Sequence, residues 1–143
     1  MIHFHSEDIP FIVKKKRHLK KWITETIESK KRKAGEISFI FCSDAYLLAI
    51  NQQYLQHNTY TDIITFDYTK DAKDKLVSGD IFISTERVKE NAEKFSKTME
   101  HELHRVMIHG ILHLLGYTDK KKQDKEEMTK QENTYLKKRK FIA

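Results

Sequence analysis

The segment from residue 99 to residue 115 limits the fold of this chain more than any other. It reads MEHELHRVMIHGILHLL, and its apolar residues cover most of the circumference when it is projected as a helix. A helix that is apolar on nearly every side must be covered on nearly every side. The sequence therefore predicts a buried central helix, and the two histidines at 109 and 113 need polar partners within it.

Hydrophobic periodicity and capping residues predict the other elements. In chain order they are a strand at 2–5, a helix from 10 to about 30, a strand at 36–43, a helix from 44 to about 55, strands within 61–68 and 74–84, a helix at 85–97, the central helix at 99–115 and a helix at 121–138. We place Pro10 in the first turn of its helix and Gly79 at a turn or bulge. The order βαβαββααα predicts an α+β fold in which a small mixed β-sheet is covered by helices. With 143 residues the chain suits a single domain over 1–143.

Composition narrows the class of protein. A lone cysteine, Cys42, excludes an internal disulfide framework and any cysteine-based zinc cluster, and we interpret it as a buried strand residue. The first residues lack the pattern of a signal peptide, and no apolar run approaches the ~20 residues of a membrane span. These features favour a cytoplasmic protein without a membrane partner.

The positive charge is concentrated in two segments. The net charge is +6, and residues 14–33 and 120–140 hold ten and nine of the 27 lysines and arginines. Basic segments of this kind suit a polyanionic partner such as nucleic acid, because phosphate contacts release condensed counterions. Solvated lysine-rich helix faces explain the same pattern equally well.

Residues 109–119 read HGILHLLGYTD and have the spacing of a metal site. His109 and His113 stand four apart and project from the same helix face, so one ion can bind both imidazoles. Gly116 can take the left-handed conformation that ends a helix, and the returning chain then brings Asp119 beside the histidines. Two histidines and one aspartate leave one coordination position of a bound metal ion open for water. The alternative is that the histidine pair has only a packing or surface role.

Gly110 occupies the place where zinc peptidases have their general base, a glutamate. A glycine cannot accept a proton, so peptide hydrolysis by that route lacks its base.

Other residues are weaker candidates. His104 projects opposite the ligand face, which favours a core or supporting role, and His101 is also off that face. His57 is a distant rival ligand. Arg105 lies one turn before His109 on nearly the same face and could bind an anionic substrate or be an ordinary helix-surface arginine.

Three stretches together resemble the YbeY family of bacterial endoribonucleases. HGILHLLGYTD is similar to the family signature H-G-x-L-H-L-x-G-Y-D-H, INQQYLQHNTYTDIITF (50–66) to L-N-x-x-Y-R-x-x-x-x-x-T-D-V-L-S-F, and SGDIFIS (78–84) to G-D-I-x-I-S. The resemblance implies a zincin-like fold and one zinc ion or another divalent transition metal. It also implies cytoplasmic action on single-stranded RNA, in maturation of small-subunit ribosomal RNA and in ribosome quality control.

Carried over by position, the resemblance makes His109 and His113 the first two metal ligands. Asp119 stands where the family usually has its third histidine, which keeps a competent ligand but makes the site more anionic. Leu55 stands where the family has an arginine that serves RNA binding and catalysis. Arg105, Lys120 and Lys121 are then the candidates for contact with the scissile phosphate.

Three functions follow in order of preference. The first is a metal-dependent endoribonuclease for ribosomal RNA. The second is a non-catalytic, zinc-containing ribosome-assembly or RNA-binding factor, which the leucine at position 55 keeps open. The third is a zinc peptidase-like hydrolase, against which Gly110 argues.

Overall fold

Strands and helices follow one another in the predicted order in the computed structural model, which describes residues 1–55, 61–69 and 74–142. The elements are β1 (Ile2–Ser6), α1 (Lys16–Ser29), β2 (Lys33–Cys42), α2 (Asp44–Tyr54), β3 (Ile63–Asp67), β4 (Leu76–Ser84), α3 (Thr85–Lys94), α4 (Met99–Leu114) and α5 (Lys122–Lys137). The predicted α+β class is confirmed.

The four strands of the described chain form one sheet in the order β1-β2-β4-β3. The pairs β1–β2 and β2–β4 are parallel, whereas β3 runs antiparallel to β4 and forms an edge. The sheet is therefore mixed, as predicted, and its antiparallel edge strand lies next to α4.

The helix α4 lies inside the protein and forms the main core with one face of the sheet. Ile37, Phe39 and Ile81 of the sheet are fully buried in the same cluster as Met107 and Ile111 of α4. Burial of side chains of this size contributes roughly 1.5–3 kcal/mol each. The predicted buried central helix is confirmed. On the opposite face of the sheet, α2 packs over a second, smaller hydrophobic core.

The predicted start of the first helix is wrong. α1 begins at Lys16, after Lys15 with a φ of 62°, and Pro10 belongs to a non-helical segment. In this segment Val13 is buried while Ile12 is 78% exposed, which is the alternation of an extended chain. The fixed φ of proline suits an extended backbone as well as a first helical turn.

Gly79 lies within β4 and not in a turn. It forms the first pair, with Ile37, after an irregularity in register between β2 residues Ala34 and Ile37, so it flanks a bulge as one of the two predicted roles requires. A Cβ atom at position 79 would lie 2.5 Å from the carbonyl oxygen of Phe66 and 2.8 Å from Cδ2 of Leu114. The glycine thus allows α4 to approach the sheet closely.

Hydrogen bonds join the first helix, α1, to the last helix, α5. The indole Nε1 of Trp22 donates to the carbonyl oxygen of Tyr135 over 2.8 Å, and the Tyr135 hydroxyl lies 2.7 Å from the hydroxyl of Ser29. Segments 14–33 and 120–140 are therefore neighbours in the fold. None of the helices in the described chain combines the length and hydrophobicity needed to cross a bilayer.

Candidate metal centre

The C-terminal end of α4 turns back as the sequence predicts. Gly116 adopts a φ of 103°, and the amide of Tyr117 donates to the carbonyl oxygen of Leu112 over 3.0 Å. This backbone conformation favours glycine, and it reverses the chain so that Asp119 returns to the face of α4 that carries both histidines.

The three predicted ligands converge on one point. The Nε2 atoms of His109 and His113 are 3.0 Å apart, and Oδ2 of Asp119 lies 3.3 Å from the first and 3.5 Å from the second. Metal–ligand distances near 2.0–2.2 Å in a tetrahedral site put ligand atoms roughly 3.3–3.6 Å from one another. The group could therefore hold a metal ion.

A buried carboxylate orients His109. Nδ1 of His109 donates to Oε2 of Glu132 over 2.6 Å, which leaves the Nε2 lone pair facing the other two ligands. Burial lowers the pKa of His109, but the hydrogen bond and charge of Glu132, with the charges of Asp119 and Asp62, outweigh it, so the pKa is raised.

A backbone carbonyl orients His113 in the same way. Its Nδ1 donates to the carbonyl oxygen of Tyr117 over 3.0 Å. Burial and the neighbouring His109 lower the pKa of His113 below its ordinary value. The neutral imidazole is the form that binds a cation, so the surroundings of His113 favour ligation.

Arg105 is neither a free anion binder nor an ordinary surface arginine. Its guanidinium donates to Oε1 of Glu132 over 2.7 Å and to Oδ1 of Asn133 over 2.6 Å. Glu132 therefore accepts hydrogen bonds from both His109 and Arg105, and the arginine holds the carboxylate that orients the histidine.

The three candidate metal ligands face an open cavity of about 810 Å³ between α4, β3 and α5. Leu55 and Lys120 both line this cavity. Lys121 is not among the lining residues that the structure describes, and it precedes α5 at the N-cap position. Of the two lysines predicted from sequence, the structure brings Lys120 to the site.

Three further carboxyl groups line the cavity, those of Asp62, Asp67 and Glu102. Burial raises the pKa of Asp62 and of Glu102, and the charge of His109 moderates the shift at Asp62. Asp62 belongs to the stretch 50–66 that resembles the family, whereas no sequence pattern indicated a role for Glu102. With Asp119 and Glu132, they make the wall of the cavity strongly acidic.

Glu132 is the main site residue that sequence reasoning missed. It lies 23 residues after His109 in a helix that is mostly polar. The signal was present, however, because Met128, Glu132, Tyr135 and Leu136 are the buried residues of α5 and share one face. A carboxylate within a buried stripe requires a partner.

His104 and Cys42 both lie in the core, whereas His57, the distant rival ligand, lies outside the described residues. His104 is buried, its Nδ1 accepts a hydrogen bond from Arg139 over 2.8 Å, and its ring contacts that of Trp22. Burial, then the charge of Arg139, lower its pKa to about 4. Its predicted core role is confirmed. Cys42 is fully buried, and burial raises the pKa of its thiol to about 12.

A sequence model of the family described as Endoribonuclease YbeY matches residues 1–140. The chain belongs to this family. Proteins named Endoribonuclease YbeY in Parabacteroides distasonis and Bacteroides fragilis are 49% and 48% identical to it. The alignments cover 94% and 97% of this chain, and 93% and 98% of the two relatives.

A solved structure supports the same family fold. The solution structure of TM1509 from Thermotoga maritima superposes with a TM-score of 0.66 and 28% sequence identity, covering 96% of this chain and 87% of that one. The resemblance inferred from three short stretches thus extends over nearly the whole YbeY-family chain.

Proposed function

We propose that this YbeY-family protein is a metal-dependent endoribonuclease that cleaves single-stranded RNA. Its proposed role is the cytoplasmic maturation and quality control of small-subunit ribosomal RNA. The proposed catalysis rests on one observation. The Nε2 atoms of His109 and His113 and Oδ2 of Asp119 lie 3.0–3.5 Å from one another at an open cavity. The names of the relatives, each an endoribonuclease, support the choice of RNA.

Zinc is the proposed ion, because two imidazoles and one carboxylate are ligands that it accepts with one coordination position left open. When bound, a divalent ion of this kind lowers the pKa of water and stabilises charge on a phosphoryl oxygen. The protein holds its ligands ready through the hydrogen bonds of His109 to Glu132 and of His113 to Tyr117. These bonds fix both rings with Nε2 pointing to the common point.

Lys120 is the proposed contact for the scissile phosphate. It lines the cavity one residue after Asp119, whereas the guanidinium of Arg105 already serves Glu132 and Asn133. A cation is needed because the carboxyl groups of Asp62, Asp67 and Glu102 on this wall repel a phosphodiester when they are ionised. Arg105 and Lys121 are secondary candidates for RNA contact at the rim.

A second candidate function has one observation in its favour. Leu55 occupies the place of the family arginine, and its side chain lines the cavity without charge. A ribosome-assembly factor that binds RNA without cutting it would tolerate this change. The peptidase alternative gains no support, because a Cβ atom at Gly110 would lie 2.8 Å from Cγ2 of Ile81, so this position serves packing against the sheet.

The test measures metal content and cleavage of single-stranded RNA in parallel. We expect about one ion per chain and cleavage that is lost with a chelator. His113→Ala should lose both, whereas His101→Ala, which changes a histidine of the same helix away from the ligand group, should keep both. Asp119→Ala should lose the ion, and Asp119→His should retain it.

Two results would refute parts of this proposal. Undiminished cleavage by His113→Ala would show that the nuclease is a contaminant. Full metal binding without cleavage of any single-stranded RNA would favour the assembly factor.

A further inference from the structure

A second concave site lies at the other end of α5, where the two basic segments of the sequence meet. This basic pocket has a volume of about 260 Å³. Its walls are formed by α1 and by the end of α5 with the residues that follow it. It is lined by His18, Lys21, Trp22, Glu25, Lys138, Lys140 and Phe141.

Aromatic rings form one wall of the basic pocket. The ring of His18 stacks on that of Phe141 with centroids 5.5 Å apart and an interplanar angle of 15°. Trp22 meets the same phenyl ring edge-on at 6.3 Å. A flat surface of this kind suits the face of a nucleobase, since every base can stack on an aromatic side chain whatever its sequence.

The charge of the basic pocket favours a polyanion. Three lysine ammonium groups, at positions 21, 138 and 140, stand against one carboxylate, Glu25. This is the reverse of the metal-site cavity, whose wall is acidic. Lysines interleaved with aromatic rings are the combination with which proteins bind single-stranded nucleic acid.

The residues that follow α5, Lys138 to Phe141, are held in place by contacts with the rest of the protein. Nε of Arg139 donates to the carbonyl oxygen of Leu136 over 2.8 Å, and Nη1 donates to Nδ1 of the buried His104 over 2.8 Å. The ring of Phe141 also meets that of His104 edge-on at 5.8 Å. The wall is therefore ordered before a ligand arrives, which reduces the entropic cost of binding.

We propose that the basic pocket is a second RNA-binding site, in which one base of a single strand packs against His18 and Phe141. The flanking phosphates contact Lys21, Lys138 and Lys140. This inference rests on the proposed function, in which RNA is the substrate. The pocket would hold the strand on one side of the cleavage position and would raise affinity for long RNA without reading its sequence.

The surface of α5 connects the basic pocket to the metal-site cavity. A shallow groove along this helix includes Asn133 and Lys138 among its lining residues. Asn133 accepts a hydrogen bond from Arg105 of the metal-site cavity, and Lys138 also lines the basic pocket. From Glu132 beside His109 to Lys138 the helix rises roughly 9 Å. A single strand of a few nucleotides can therefore reach both sites.

The test is equilibrium binding of a fluorescent single-stranded RNA of about 20 nucleotides, with chelator present to prevent cleavage. The double variant Lys138→Ala/Lys140→Ala should bind about 10-fold more weakly, and its salt dependence should be shallower by about 1.4 in log–log slope for two lost phosphate contacts. Glu25→Gln should bind a few-fold more tightly, because it removes the opposing charge. Lys89→Ala/Lys97→Ala, two exposed lysines around α3, is the matched control and should bind like wild type.

Phe141→Leu tests the aromatic wall separately. Leucine keeps apolar packing but removes the ring, so binding should weaken at least about 5-fold with no change in salt slope. A duplex of equal length should show little response to this variant, because its bases cannot leave the stack. If Phe141→Leu alters folding, as checked by thermal unfolding, the lysine and glutamate variants still decide the outcome.

Three results would overturn the second site. They are wild-type affinity in Lys138→Ala/Lys140→Ala, an equal loss in the control pair, and an equal loss of duplex and single-strand binding in Phe141→Leu. Cleavage by the wild-type protein is measured separately without chelator. If wild type cleaves RNA but the pocket variants bind normally, only the second site fails. If RNA binds through the pocket but is never cleaved, the proposed catalytic function fails and the second site stands.

Discussion

His109 donates to Glu132 over 2.6 Å, and through this bond a residue of α5 determines which nitrogen of an α4 histidine faces the candidate metal position. Arg105 donates to the other oxygen of the same carboxylate over 2.7 Å. The carboxylate is thus held from two sides, and the histidine ring has one favoured tautomer. The geometry of the candidate metal centre therefore depends on the packing of two helices as well as on its own three residues.

Glu132→Gln should weaken metal binding about 10- to 100-fold, because the neutral amide orients and polarises His109 less well. Competition with a chromophoric chelator measures the affinity directly. Glu127→Gln changes an exposed glutamate of the same helix and should leave the affinity unchanged. An unaltered affinity in Glu132→Gln would mean that the hydrogen bond has no part in metal binding.

Gly110→Ala should destabilise the protein by about 1–3 kcal/mol, as overpacking of a core generally does. The added Cβ would lie 2.8 Å from Cγ2 of Ile81 and 3.0 Å from Cδ1 of Ile63, so α4 would have to move away from the sheet. Urea unfolding measures the change. Substitution by the better helix former would stabilise α4 if the helix were free to shift, and a gain in stability would therefore contradict this packing role.

Gly116→Ala should also destabilise, but for a different reason. A Cβ atom there would meet nothing within 4 Å, whereas its φ of 103° is unfavourable for a residue with a side chain. We expect a loss of about 1 kcal/mol or more, measured by the same unfolding experiment. Gly116→Asn should lose less than the alanine variant, because asparagine tolerates positive φ better; equal losses would argue against backbone strain.

His104 should make stability depend on pH between 4 and 6.5. Its folded pKa is about 4 against an ordinary value of 6.5, so in this range the unfolded chain binds a proton that the folded chain does not. The unfolding free energy therefore rises with pH across the window, and this contribution is complete above pH 6.5 and lost as pH falls to 4. We expect about 3 kcal/mol from this group.

The measurement is the difference in unfolding free energy between wild type and His104→Gln, followed against pH. Glutamine can still accept the hydrogen bond from Arg139 but does not titrate, so the difference should change over this window. A flat difference would show that the imidazole of His104 titrates normally in the folded protein.

If Lys120 contacts the scissile phosphate, Lys120→Ala should lower kcat/KM for RNA cleavage about 10- to 100-fold, the worth of one charge-assisted hydrogen bond. Leu55→Arg puts the family arginine back into the cavity and should restore part of that loss. Steady-state kinetics on a short RNA measure both variants and their combination. Lys89→Ala changes an exposed lysine of α3 and is the control; a loss there equal to that of Lys120→Ala would refute a specific contact.

Local sequence predicted the elements whose periodicity and capping agree with their packing. The apolar circumference of residues 99–115 identified the buried helix, and the H-x3-H spacing with Gly116 predicted that Asp119 would return to the histidines. Their convergence is now seen, while ligation itself stays a prediction. Pro10 misled because its fixed φ suits an extended segment as well as a first helical turn. The contact of its neighbour Phe11 with Phe41 accompanies the extended setting, and only the tertiary structure shows it.

The roles of Glu132 and Arg105 could not be read from local patterns. Glu132 reaches His109 across 23 positions of sequence, and Arg105 is tied to residues 27 and 28 positions away. Such pairs depend on how α5 lies against α4, which no short motif encodes. The buried stripe of α5 shows that Glu132 needs a partner, but tertiary structure alone shows which one.

The order of synthesis on the ribosome determines when the hydrogen bond between His109 and Glu132 can form. His109 is synthesised before the carboxylate that orients it, and 23 residues separate it from Glu132. At typical elongation rates this interval lasts roughly 1–5 s. During translation the nascent chain therefore carries His109 without its orienting carboxylate, and the full geometry of the candidate metal centre forms only after α5 has emerged and docked.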